Sequence, residues 1–299
     1  MPPPREDPTT IKQEKETQMK VVSFNAKGKP SYGRVGSDGN VIDLGGTLGA
    51  KYPDLVAVLK AGALGELAKA DGPALGAVDS LDLLPVLPNP GKIVCIGVNY
   101  DEHRREMGRE PPGHPTCFVR FPEAQVAHGK PMLRPAESEK FDYEGELAVI
   151  IGKEGFKLSE ADAFSIIAGY SCYNDGSIRD WQNHTSQFTP GKNFPATGGF
   201  GPWMVTADEI PDPQALMLET RLNGQTVQKS GTDLMTFNIR KIIAYVTTWL
   251  PLKPGDVIAS GTPGGVGAKR NPPLWMKDGD VVEVDISGVG VLRNPIKNA

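Results

Sequence analysis

Phe141-Asp142-Tyr143-Glu144-Gly145-Glu146-Leu147-Ala148-Val149-Ile150-Ile151-Gly152 is the stretch on which the reading of this chain turns. Its apolar, β-branched run reads as a strand. Residues two apart on a strand point to the same face, so Glu144 and Glu146 share one face while Leu147, Val149 and Ile151 occupy the other. Asp175 ends a second such run, Tyr170-Ser171-Cys172-Tyr173-Asn174-Asp175. Two like charges on one face of a buried strand repel each other and lose hydration. A hard divalent cation, which prefers oxygen ligands, compensates such a pair. The pattern also fits the wet face of an edge strand, where alternating acids are ordinary, and Asp175 before Gly176 also fits a turn. Only the three acids together point to a metal site, and a metal site points to an enzyme.

Short strand-like runs recur on both sides of this stretch: 20–24, 31–35, 41–44, 92–97, 117–121, 167–173, 203–205, 218–222, 225–228, 256–259 and 281–286. Asp38-Gly39 and Asn223-Gly224 are hairpin signals between them. Helical spacing is rarer. Asp54 can cap a helix carrying Leu55, Val58, Leu59 and Leu67. Ser159 and Asp162 resemble a capping box before Phe164, Ile166 and Ile167. Ile239, Ile242, Ile243, Val246 and Leu250 predict an amphipathic helix ended by Pro251 and Pro254. Strands outnumber helices and lack regular helical crossovers, which predicts a strand-dominated α+β fold rather than a doubly wound one. Residues 1–18 are polar and Pro-rich and are expected to be a disordered extension. Leu84-Pro85-Val86-Leu87-Pro88-Asn89-Pro90 breaks regular structure and suggests a boundary between a small N-terminal α/β module (19–85) and a larger catalytic part (90–299).

Composition narrows the function. The chain has 299 residues, net charge −4 and a pI of about 5.7. With no dense run of Lys and Arg, it gains little from phosphate attraction, so no nucleic-acid partner is expected. Cys95, Cys117 and Cys172 are isolated and read as buried free thiols of a reducing compartment. No apolar run approaches the ~20 residues of a membrane span, and no signal peptide is recognisable. A cytoplasmic location without membrane association is therefore expected.

Three further segments carry chemistry. In Gly97-Val98-Asn99-Tyr100-Asp101-Glu102-His103-Arg104-Arg105-Glu106, His103 and Glu106 are three apart and would be neighbours on a short helix. A carboxylate beside a histidine orients the ring and raises its basicity, which suits a general base; an incidental pair on an exposed helix fits as well. His114, His128 and His184 lack so close an acid and read as structural. Arg179, Gln182 and Lys192 offer contacts to an anionic substrate, or are surface residues and partners of Asp180. Ser260-Gly261-Thr262-Pro263-Gly264-Gly265-Val266-Gly267 lets backbone N–H groups approach a ligand, or is simply a tight turn.

In this order, Ile96-Gly97-Val98-Asn99-Tyr100 with His103 and Glu106, Asp142-Tyr143-Glu144-Gly145-Glu146, Asn174-Asp175 with Arg179-Asp180, Gly191-Lys192 and Gly261-Thr262-Pro263 resemble the fumarylacetoacetate hydrolase family, over roughly residues 90–296. The resemblance implies a roll of mixed β-sheets, often as a homodimer. It implies Mg²⁺ or Mn²⁺ held by Glu144, Glu146 and Asp175, a site that Ca²⁺ can take in crystals. It implies a His103–Glu106 dyad on a closing segment and a substrate-polarising Lys192. Substrate contacts are implied at Arg179, Gln182 and Thr262. Many members carry Phe-x-Lys-Pro where this chain reads Phe118-Val119-Arg120-Phe121; Arg120 keeps the charge with a different geometry, is counted among the substrate contacts, and leaves open how the distal end of a substrate is held. The implied activity is C–C bond hydrolysis of a β-diketo acid such as an acylpyruvate, through a metal-stabilised enolate. The alternative outcomes are oxaloacetate decarboxylation and 2-hydroxy-dienoate isomerisation or tautomerisation. In each case the partner is a small anionic keto acid.

Overall fold

The computed structural model describes residues 19–111 and 113–299; the expected disordered extension, 1–18, lies outside them. Among the described residues, twelve strands join one sheet. Its main path runs Ala74–Ala77, Asn40–Asp43, Lys29–Val35, Lys20–Ala26, Gly198–Thr206, Ile167–Asn174, Gly145–Ile151, Val257–Ala259, Ile93–Gly97 and Thr116–Arg120. Most pairs are antiparallel, but Val257–Ala259 lies parallel to Ile93–Gly97, and Gln125–Ala127 lies parallel to Gly198–Thr206. A second sheet orders Gln225–Gly231, Met217–Leu222, Val281–Ile286, Gly290–Asn298 and Met132–Arg134. The fold is strand-dominated α+β with mixed sheets, as the sequence predicts.

Gly145–Ile151 sits in the interior of the sheet, paired with Ile167–Asn174 on one side and Val257–Ala259 on the other. This removes the edge-strand reading of its acids. Both faces are covered. Leu147, Val149 and Ile151 pack with Ile239, Ile242, Ile243 and Val246 of the helix Ile239–Trp249. Ala148 and Ile150 pack with Leu55, Val58 and Leu59 of the N-terminal part. Full burial of a Leu, Val or Ile side chain contributes roughly 1.5–3 kcal/mol each, so the strand is firmly placed before its acids are considered. Gly145 permits close stacking of the second sheet: a Cβ there would lie 2.1 Å from Thr220 Oγ1.

Hydrogen bonding crosses the expected boundary at 84–90. Lys20 and Val21 pair with Val205 and Met204, so residues 19–85 extend the main sheet rather than building one of their own. Their helices cover its even face around Ala148 and Ile150. Asp54 caps the first of these helices by accepting from Ala57 N, as expected. The single helix predicted through Leu67 is instead two, Leu55–Lys60 and Leu64–Lys69, because Gly62 turns the chain at φ +63°. Ser159 and Asp162 bond as in a capping box, but the turn that follows, Ala163–Ile166, is 3₁₀. Cys95 and Cys172 are buried free thiols, whereas Cys117 is only partly buried.

Candidate active site

Strand register assembles the acids. Gly145 faces Asn174 and Glu146 faces Tyr173, which brings Glu144 opposite Asp175. Backbone bonds fix that end: Asp175 N donates to Glu144 O at 2.8 Å, and Glu144 N donates to Asn174 Oδ1 at 3.0 Å. The three carboxylates are buried, and one oxygen from each lies within 4.8 Å of the others.

Their partners differ. Glu144 is paired with Arg179 (2.6 Å) and Lys192 (2.7 Å). Burial alone would raise its pKa, but the Arg179 and Lys192 charges outweigh that and hold it at about 2. Asp175 is paired with Arg120 (2.5 Å) and Lys192 (2.7 Å). Among the described residues Glu146 has no cationic partner at salt-bridge distance; its Oε2 accepts one N–H, from Gly261, at 2.8 Å. Burial, then Asp175 and Glu144, push its carboxyl well above the usual range. An all-oxygen set with one uncompensated acid suits a hard divalent cation. Lys192 is desolvated, yet Asp175 and Glu144 raise its pKa above the ordinary lysine value, so it stands as a fixed cation and donor.

The dyad forms on the short helix Asp101–Glu106. His103 is buried, its Nδ1 2.6 Å from Glu106 Oε1, and Glu106 Oε2 accepts from Gly265 N at 2.9 Å. With Nδ1–H committed to the carboxylate, Nε2 is left as the ring's acceptor. The preceding loop is strained. Val98 sits at φ +57°, which for a β-branched residue costs on the order of 1–3 kcal/mol. Asn99 holds it there, donating to Phe237 O and Ser260 O and accepting from Phe237 N.

The glycine-rich loop uses its N–H groups on the protein's own acids: Gly261 on Glu146, Gly265 on Glu106 and Gly267 on Asp142. It thereby ties the acid triad, the dyad and the Asp142–Arg179 pair into one unit. Thr262 donates to Gly145 O and accepts from Gln228.

A cavity of about 350 Å³ opens over this unit. His103, Glu144, Glu146, Arg179, Gln182, Lys192 and Thr262 all line it. Arg120 does not. Its guanidinium is fully buried behind Asp175, donating to Asp175 Oδ1, Gly176 O and Thr197 Oγ1. The expectation that Arg120 contacts the substrate is therefore corrected: it positions an acid of the triad. The other histidines lie elsewhere, His114 stacked on Tyr245, His184 against Trp181 and His128 near Asp79. Sequence reasoning passed over Asp142, although it stands two residues before Glu144 in the same alternation. It also passed over Arg109 and Phe188 on the cavity wall, for which no local pattern gives a signal, and gave no role to Phe118, which opens the Phe118-Val119-Arg120-Phe121 segment.

A buried acid triad, a histidine–glutamate dyad and a fixed lysine around one cavity are the parts of a metal-site enzyme. The family model described as fumarylacetoacetate (FAA) hydrolase C-terminal matches residues 92–297. The chain is 37% identical over 302 residues to a Xenopus laevis protein named oxaloacetate tautomerase fahd2, mitochondrial, covering 96% of this chain and 92% of that one. It is 38% identical over 241 residues to the Bacillus subtilis protein named oxaloacetate tautomerase YisK, covering 78% and 80%. A solved structure of fumarylacetoacetate hydrolase from the psychrophile Exiguobacterium antarcticum superposes with a TM-score of 0.83 at 35% identity, covering 94% of this chain and all of that one. The chain belongs to the fumarylacetoacetate hydrolase family. No helix among the described residues is long and apolar enough to cross a membrane.

Proposed function

We propose that this chain is a Mg²⁺- or Mn²⁺-dependent enzyme that interconverts the enol and keto forms of oxaloacetate. The observation that carries the reading is a buried His103, held through Nδ1 by Glu106, and a fixed cation, Lys192, on the walls of one small cavity over the acid triad. Tautomerisation moves one proton between C3 and the oxygen on C2 and needs no attacking water. His103 takes the proton from one position and returns it at the other, with Glu106 steadying the imidazolium between the two transfers. Lys192 donates to the oxygen on which negative charge develops. A divalent ion held by Glu144, Glu146 and Asp175 would supply Lewis-acid polarisation of the keto acid. The confined inner cavity favours a small substrate. The names of the relatives from Xenopus laevis and Bacillus subtilis support the same reaction.

Hydrolysis of an acylpyruvate is the second reading, favoured by the dyad, which can equally activate a water, and by the name of the Exiguobacterium antarcticum structure. One experiment separates them. The Mn²⁺-loaded protein is given enol-oxaloacetate and, separately, acetopyruvate, with enol absorbance and released pyruvate followed together. Loss of enol without pyruvate is expected, slowed about 10²–10⁴-fold in His103→Ala. Pyruvate released from acetopyruvate while enol-oxaloacetate decays at its uncatalysed rate would replace the first reading with the second; pyruvate formed from oxaloacetate would indicate decarboxylation. An unslowed His103→Ala would remove the dyad from either.

A further inference from the structure

The inner cavity is not the end of the cleft. Met107, Arg109 and Arg179 line both it and a larger outer cavity of about 1190 Å³. The outer wall adds Lys140, Lys269 and Trp275. In a chain of net charge −4, this vestibule gathers four cations against one acid, Asp180. Asp180 is already engaged, accepting from Ser138 Oγ at 2.7 Å and from Trp181 N. Arg109, Lys140 and Lys269 are exposed, and among the described residues none has an acidic partner within 4 Å.

The vestibule is built, not incidental. Asp142, buried, fixes both of its inner walls: it accepts from Arg179 Nε at 2.8 Å and from the N–H groups of Gly267 and Ala268, which carry Lys269. Arg179 is only 5% exposed, and among the described residues its Nη2 has no hydrogen-bond partner, leaving a desolvated donor in the wall shared by the two cavities. Arg109 holds the junction. It lines the inner cavity, the vestibule and a further groove of about 770 Å³, with its guanidinium 5.5 Å from the Phe188 ring centre.

We propose that the vestibule is a distal anion subsite that selects substrates bearing a second carboxylate, with Arg109 as its principal contact and Lys140 and Lys269 as outer charges that draw the dianion in. The inference rests on the inner cavity being the keto-acid site. Once the keto-acid end occupies the inner cavity, the second carboxylate lies toward the junction, where an unpaired guanidinium waits. Charge-assisted contact with a guanidinium is about twice as strong as a neutral hydrogen bond. Exposed cations at a cleft mouth speed anion entry in a salt-dependent way.

The test uses two unreactive probes that share an oxalyl amide end and differ by one carboxymethyl group: oxamate, a monoanion, and N-oxalylglycine, a dianion. Each is titrated calorimetrically into the Mn²⁺-loaded wild type, Arg109→Ala and Lys269→Ala, with melting curves to establish folding. Wild type should bind N-oxalylglycine more tightly, and Arg109→Ala should weaken that probe about tenfold or more while changing oxamate less than twofold. Lys269→Ala should lose a smaller factor that vanishes at high salt. Equal losses for both probes, or none, in folded Arg109→Ala would overturn the subsite while leaving the keto-acid site standing. Failure of both probes to bind wild type would overturn the keto-acid reading and the subsite with it.

Discussion

Glu146→Gln is the substitution whose outcome the structure constrains most tightly. Glu146 is 1% exposed and accepts a single N–H, while Asp175 and Glu144 crowd it with like charge. The other two acids each have two cations. In metal-free protein the glutamine keeps the shape, keeps an acceptor for Gly261 N–H and adds an amide that can donate to its acidic neighbours. Leaving a buried polar group under-satisfied costs about 1–3 kcal/mol, more when it is charged, so metal-free Glu146→Gln should be at least as stable as wild type and up to that much more so. With saturating Mn²⁺ the order reverses. Ligand at a hundred times Kd stabilises by about 2.7 kcal/mol, or roughly 5–10 °C in Tm at the two to four degrees per kcal/mol usual for chains approaching this size. The variant should lose most of that gain. The pH dependence has a definite sign. The raised carboxyl of Glu146 contributes stability that is complete below the ordinary glutamate pKa near 4.5 and is lost as pH rises above it. Glu144, held at about 2, contributes stability present above 4.5 and lost as pH falls toward 2. Metal-free wild type should therefore lose stability between pH 5 and 8 relative to the variant. Differential scanning calorimetry with EDTA and with Mn²⁺, at both pH values, reads all of this. An unchanged Mn²⁺ shift in Glu146→Gln would refute the ligand assignment, and a metal-free variant several degrees below wild type would refute the charge argument.

Arg120→Lys keeps the charge but loses the fork that spans Asp175, Gly176 and Thr197; a loss of about 2–4 kcal/mol in urea unfolding is expected from buried partners left unpaired, with weaker Mn²⁺ binding by titration. Wild-type stability and Mn²⁺ affinity in that variant would show that a point charge suffices behind Asp175. Asn99→Ala strands Phe237 N and Ser260 O and frees the strained Val98 turn; the expected cost is about 2–4 kcal/mol, and a change below about 0.5 kcal/mol would show that the loop is held by something else.

Local order decided what the sequence could reveal. Glu144 and Glu146 declared a shared face because a strand's period is two, and the structure places both on one cavity. Asn223-Gly224 declared its turn because both residues adopt positive φ, 53° and 77°. The helix Ile239–Trp249 declared itself by spacing. What stayed hidden was long-range. Arg120 reaches an aspartate 55 positions away, and Asp142 binds backbone 125 positions away; no local period encodes either. The continuity of the sheet depends on Val21 facing Met204, a pairing set only once the whole sheet forms. Arg109 gave no signal because an exposed arginine after a glycine looks like any other surface residue.

The buried charges bear on the proposed binding of a cation and then of an anion. Asp142, Glu144, Glu146 and Asp175 face Arg120, Arg179 and Lys192, all buried. With all four acids ionised, four against three cations leave one negative charge in excess; the pairing assigns it to Glu146, and the cost of holding it there is what raises that carboxyl. A desolvated excess charge is unfavourable, so the protein stores a preference for a positive ligand at that spot. A divalent ion held by Glu144, Glu146 and Asp175 would overshoot by one, and the resulting positive field would favour an anionic keto acid. The three cations are thus too few to neutralise the acids yet enough to prevent a divalent ion from doing so alone. Replacing any one of them with a neutral residue shifts the balance toward tighter metal and weaker substrate binding, which makes Arg120, buried away from the cavity, as relevant to the site's electrostatics as Lys192 on its wall.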